Sequence, residues 1–155
     1  MEDAGVIVKW RNGQKEPFFL NNEDISMESH LRWFSGYLHD SARFDFVIIR
    51  KEGFIKIGTI GIKNIKDSTC ELSYFIGEIS ERRKGYAREA VGAMMAQAGV
   101  LDIYDIYATI HKNNIDSTKL AAYFGFAVDH QKGDYCVYKK KLRSIQGPKA
   151  YTSLK

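Results

Sequence analysis

The chain has 155 residues, 45% of them hydrophobic, which suffices for one ordinary core and not for two, so a single domain is expected. Its apolar stretches fall short of the roughly 18 residues that cross a bilayer, and Met1-Glu2-Asp3-Ala4 is acidic where a signal peptide is basic, so a soluble, cytoplasmic protein with no membrane partner is expected. The net charge of +4 sits at one end: residues 139–155 carry six cations and no acid, leaving residues 1–138 at −2, which disfavours a nucleic-acid-binding body.

In chain order, Val6 to Arg11 reads as a strand. Ser26 to Leu38 places Met27, Leu31, Phe34 and Leu38 at helical spacing behind Ser26 as N-cap, which predicts an amphipathic helix. Phe44 to Arg50 and Phe54 to Ile62 are β-rich runs joined by Lys51-Glu52-Gly53, a hairpin signal, and Thr69 to Ile76 adds a third strand. Ala87, Ala90, Val91, Met94 and Ala98 then recur every three to four residues, with Gly99 placed as C-cap. Ile103 to Ile110 alternates as a strand, and Ile115 to Phe124 is helical up to Gly125. Ala127 to Gln131 pairs with Asp134 to Lys140 across Lys132-Gly133. The sum is an α/β (α+β) domain over residues 1–142: a mixed, mostly antiparallel sheet of about seven strands with helices on both faces. Residues 143–155, with Gly147-Pro148, form a basic, flexible tail.

Chemistry concentrates between the strand ending at Ile76 and the helix starting near Tyr86, in Glu81-Arg82-Arg83-Lys84-Gly85-Tyr86-Ala87. A helix N-terminus offers backbone N–H groups without internal partners and a positive dipole end, and together these bind anions. Gly85 and Ala87 let a phosphate approach the backbone, and Arg82, Arg83 and Lys84 add charge. Neither a Walker loop nor a Rossmann G-x-G-x-x-G is present. Taken alone, the segment reads most simply as a solvated charged turn capping a helix.

A wider pattern changes that reading. R-x-x-G-x-A between a strand and an Ala-rich helix resembles the coenzyme A-binding motif of the GNAT N-acetyltransferases. Asn114-Ile115-Asp116-Ser117, followed by Lys119 to Phe126, is similar to that family's N-x-x-S and terminal G-F pattern. The resemblance covers Val6 to Leu142 and implies the GNAT fold, with acetyl-CoA as co-substrate and transfer of its acetyl group to an amine. It implies that the pyrophosphate lies on the loop of Arg82, Arg83, Lys84, Gly85, Tyr86 and Ala87. The pantetheine arm would pair with the backbone of Phe75 and Ile76, and Asn114 and Ser117 would touch the cofactor from the next helix.

The reaction needs a base for the amine proton, a donor for the developing oxyanion, and an acid for the thiolate. A backbone N–H near Phe75 or Ile76 suits the oxyanion. Glu71 is the candidate base, sharing a strand face with Ser73 and Phe75, although a solvent-facing Glu is an equally good reading. Many relatives place a Tyr seven residues after the motif Asn; here that position is Ala121, and Tyr123 is the nearest candidate acid. Cys70 and Cys136 lie in apolar stretches and read as packed thiols, and no His/Cys cluster with ligand spacing suggests a metal.

The first fifth of the chain is rich in aromatics and cations: Trp10-Arg11-Asn12, Phe18-Phe19 and His30-Leu31-Arg32-Trp33-Phe34. Aromatic faces can stack on a base or sugar, and Arg and His can take a diphosphate. W-R-N, I-S and H-x-x-W-F are similar to the N-acetyltransferases of pseudaminic acid biosynthesis, which implies a UDP-linked amino sugar as acceptor, met by Trp10, Arg11, His30 and Trp33. W-R-N also opens relatives that acetylate protein N-termini, so a protein N-terminus or a small amine such as a polyamine remains the alternative. A CoA-binding regulatory module without catalysis is the third reading. A homodimer stays open.

Overall fold

The computed structural model describes residues 2–13 and 23–142. Six strands form one sheet in the order β1-β2-β3-β4-β6-β5: β1 (Phe44–Arg50), β2 (Ile55–Lys66), β3 (Thr69–Ile76), β4 (Asp105–His111), β5 (Ala127–Lys132) and β6 (Tyr135–Lys141). Neighbours run antiparallel except β3 and β4, which are parallel. The helices are α1 (Ala4–Gly13), α2 (Met27–Tyr37), α3 (Tyr86–Val100) and α4 (Ile115–Tyr123). The predicted α+β class holds, with six strands among the described residues rather than seven.

The missing strand is the first. Val6-Ile7-Val8 favours β structure locally, yet the segment is helix α1, opened by a hydrogen bond from the Ile7 N–H to the Asp3 carbonyl at 3.1 Å. The helix buries Ala4 and Trp10, and Asp3 holds Lys56 of β2 at 2.7 Å. Packing overrides an intrinsic preference worth only about 1 kcal/mol. α2 follows its pattern closely: the Ser26 hydroxyl accepts from the Ser29 N–H at 3.0 Å, and Arg32 meets Glu28 one turn away.

One sheet face carries the core. Ile60, Ile62, Cys70, Leu72, Ile106 and Ala108 alternate along three strands and meet Val91, Met94 and Ala98 of α3 and Ala121 of α4. Gly99 does not end α3; the helix runs to Val100, and the Leu101 N–H closes it on Gln97 and Ala98, with Asp102 taking φ 57°. α4 stops where predicted, at Gly125 (φ 72°). The Gly125 N–H bonds to the Ala122 carbonyl and the Phe126 N–H to that of Ala121, a Schellman closure. No helix among the described residues is long and apolar enough to cross a membrane.

Candidate active site

The site begins where two strands part. β3 and β4 pair at Thr69↔Asp105, Cys70↔Ile106 and Glu71↔Tyr107, and no further. Beyond that point β3 stays in register with β2 as far as Ile76, and β4 with β6 as far as His111, so each strand follows a different neighbour and the two diverge. The fork opens a cavity of about 1180 Å³ lined by β3, β4, the segment before α3, and the inner faces of α3 and α4.

At one end lies the N-terminus of α3. Its cap, Gly85, has φ 93° and carries no side chain over the first-turn amides. An added Cβ there meets only the tip of Arg88, at 4.0 Å, so open space rather than protein faces these donors. Arg83 is also left-handed, at φ 61°. The three cations of this segment are held apart. Arg82 Nε donates to the Ile76 carbonyl at 3.0 Å, with its guanidinium 5.7 Å from the Phe75 ring centre. Arg83 reaches Asp116 of α4 at 3.2 Å. Lys84 lies 3.2 Å from Glu81, a buried carboxylate that also takes Arg50 of β1 at 2.5 Å.

On α4, the Asn114 side chain caps the helix by accepting from the Ser117 N–H at 3.1 Å. Burial raises the Tyr74 pKa above its usual 10, and the neighbouring Ser117 hydroxyl partly opposes that. Tyr74 lines the cavity beside Ala121.

The opposite sheet face forms the other end. Glu71, the last residue at which the forked strands pair, has Lys63 Nζ at 3.4 Å and Asn64 Nδ2 at 3.1 Å. Asp45 of β1 lies over Gly61, where a Cβ would come within 2.3 Å of its Oδ1. Its carboxylate is paired with Arg43, whose guanidinium stacks 5.0 Å from the Trp33 ring centre. Arg11 and Trp10 of α1 complete the lining, and burial pushes the Arg11 guanidinium below its ordinary pKa.

The cavity thus gathers Trp10, Arg11, Glu71, Phe75, Ile76, Arg82, Arg83, Lys84, Gly85, Tyr86, Ala87, Asn114 and Ser117 from four separate stretches of sequence. It does not gather His30, Trp33 or Tyr123. His30 is buried in α2 with its ring 5.5 Å from that of Trp33, and Trp33 reaches the cavity only through Arg43. Tyr123 is 65% exposed, edge-on to Phe124 and beneath Arg88. Phe18 and Phe19, like the basic tail, lie outside the described residues. Trp10 lines the cavity yet is only 4% exposed, so it acts as wall more than as an offered surface. The sequence reading missed Asp45, Lys63, Tyr74 and Arg88. Alternation put Tyr74 on the core face and so passed it over, and no local pattern marks the others. Cys70 is buried with its thiol pushed up to about 11, which removes it as a nucleophile. Among the described residues no group of His, Cys, Asp or Glu could hold a metal ion.

Residues 1–127 match the acetyltransferase (GNAT) domain family. The acetyltransferase PseH of Campylobacter jejuni is 27% identical over 143 residues, spanning 90% of this chain and 87% of that protein. The crystal structure of Campylobacter jejuni PseH with acetyl coenzyme A superimposes with a TM-score of 0.73 at 22% identity, covering 92% of each chain. That of the Vibrio cholerae spermidine N-acetyltransferase with CoA and spermine gives 0.80 at 17% identity, covering 92% of this chain and 90% of that one. The chain therefore belongs to the GNAT acetyltransferase family, and it is an acyltransferase with acetyl-CoA as its acetyl donor.

Proposed function

We propose that this enzyme acetylates the primary amine of a UDP-linked amino sugar. The observation that carries the reading is the fork between β3 and β4, with an open helix N-terminus at one end and the Glu71 carboxylate, held by Lys63 and Asn64, at the other.

The residues fit the donor. Gly85 leaves the α3 amides clear for a diphosphate. The amides of Arg83 to Ala87 would hold that diphosphate, with Arg82, Arg83, Lys84 and Arg88 supplying the positive surround. The backbone of Phe75 and Ile76 would take the extended arm, and Asn114 and Ser117 would close over it from α4. Acetyl-CoA supplies a thioester already activated for acyl transfer. The chain's own groups do the rest: Glu71 accepts one amine proton as the nitrogen–carbon bond forms and the carbon–sulfur bond breaks. A backbone N–H near Phe75 or Ile76 donates to the carbonyl oxygen. The departing thiolate takes a proton from Tyr74, which lines the cavity where Tyr123 does not. A buried phenol keeps its proton at neutral pH, so the hydroxyl is present as a donor, while its raised pKa makes it a weak acid for this step.

Support for a nucleotide-linked acceptor comes from Arg11 and Trp10 in the cavity wall and from the PseH relatives. His30 and Trp33 sit outside the cavity, so the acceptor reading rests on Trp10 and Arg11, with Arg43 held in place by Trp33. A polyamine or a protein N-terminus is the second reading, favoured by the two carboxylates Asp45 and Glu71 on the acceptor side. We place the reaction in the cytoplasm, where the free thiols Cys70 and Cys136 are stable.

The test is thiol release from acetyl-CoA with UDP-glucosamine, spermidine and an alanine-initiated peptide in parallel. Turnover with the sugar nucleotide supports the proposal. Turnover confined to spermidine or the peptide moves the acceptor class, and CoA binding without turnover of any of the three amines contradicts the proposed acceptor.

A further inference from the structure

Strand β2 is irregular opposite Glu71. Its register with β3 holds from Gly58 to Lys63, which faces Glu71, then breaks, and resumes only at Lys66↔Thr69. Within the break Asn64 adopts φ 54°. In unbroken alternation Asn64 would share the face of Ile62, which is buried in the core, and Ile65 would share the face of Lys63. The left-handed residue exchanges them. Ile65 packs against the core, while the Asn64 amide reaches Glu71 Oε2 at 3.1 Å and Lys63 Nζ stands 3.4 Å from Oε1. One carboxylate oxygen therefore accepts from Asn64 inside the bulge, and the other is paired with Lys63 at its start. Bulges that re-aim a side chain recur next to active sites, and Asn is one of the few side chains that accepts the left-handed region at little cost.

We infer that Asn64 and Lys63 are positioning residues that fix the Glu71 carboxylate at the fork of β3 and β4, so that one defined oxygen faces the acceptor amine. This rests on the reading of Glu71 as base. Asn64 does not line the cavity and Lys63 is ion-paired with Glu71, so both act through that carboxylate.

Asn64→Gly is the informative variant, because glycine keeps the left-handed backbone and removes only the amide. With UDP-glucosamine as acceptor, Asn64→Gly is expected to lower kcat roughly five-fold, the loss of one hydrogen bond to a charged group. The KM for acetyl-CoA and the melting temperature should stay near wild type. Lys63→Met should act in the same direction and Lys63→Arg should recover most of the loss. In the Glu71→Gln background, Asn64→Gly should cost nothing more, since a positioning residue has no effect once its target is gone. A slow Glu71→Gln with a wild-type Asn64→Gly, or losses that multiply in the double variant, would overturn the inference alone. A Glu71→Gln variant with wild-type kcat would overturn the base assignment and this inference with it.

Discussion

The indole of Trp10 lies directly on Gly77: a Cβ built at Gly77 would come within 2.2 Å of the ring. This contact ties α1 to the residue after β3, so the first helix is seated by a glycine at the mouth of the fork. Gly77→Ala forces the ring to move, an overpacking cost of about 2 kcal/mol that should appear as a melting temperature lower by roughly 4–8 °C. Differential scanning calorimetry checks it, and Trp10→Leu in the same background should recover part of the loss by removing the clash.

Gly85 tests the donor end without touching the core. Its φ of 93° strains any L-residue by about 1–2 kcal/mol, yet there is space for a methyl group. Gly85→Ala should raise the KM for acetyl-CoA about ten-fold, a loss of one to two kcal/mol of binding, while kcat at saturating donor changes little. Steady-state kinetics with varied acetyl-CoA measures the split.

Tyr74→Phe keeps the ring packed against the core and removes only the hydroxyl. If Tyr74 protonates the thiolate, kcat should fall by roughly 10²-fold or less, because a thiolate leaves readily without full acid assistance. Tyr123→Phe should leave kcat at its wild-type value, since that phenol is exposed outside the cavity. Equal losses in both variants would contradict the assignment.

His30 gives the fold a pH dependence. Burial holds its pKa below the ordinary 6.5, so the unfolded chain binds a proton that the folded one refuses. The stability involved is present above that ordinary value and is lost as pH falls below it. The melting temperature should drop between pH 7 and pH 5.5, and should drop less in His30→Phe, which retains the stack on Trp33. Thermal denaturation monitored by fluorescence at a series of pH values is the measurement.

Contiguous features were legible in the sequence. The meander β1–β3, helices α2, α3 and α4, strand β4 and the terminal hairpin follow from periodicity and glycine placement, and a motif seven residues long marks the segment before α3 that lines the cavity. α1 was not legible, because Val6-Ile7-Val8 prefers β structure and tertiary packing, including burial of Trp10 against Gly77, reverses it. The site's long-range pairs were hidden for a related reason. Arg50 and Glu81 are 31 residues apart, and Asp45 meets Gly61 through strand register that no local spacing encodes. Asn64 was hidden most deeply, since strict alternation assigns it to the wrong face.

We propose that acetyl-CoA binds in the fork of β3 and β4, at the α3 N-terminus. Isothermal titration of CoA into the wild type and into Gly85→Asp tests it most directly, because the new carboxylate would stand where the diphosphate binds. Measurable binding to the wild type and its loss in the folded variant are expected; equal affinity in both, or no binding to the wild type, would rule this site out.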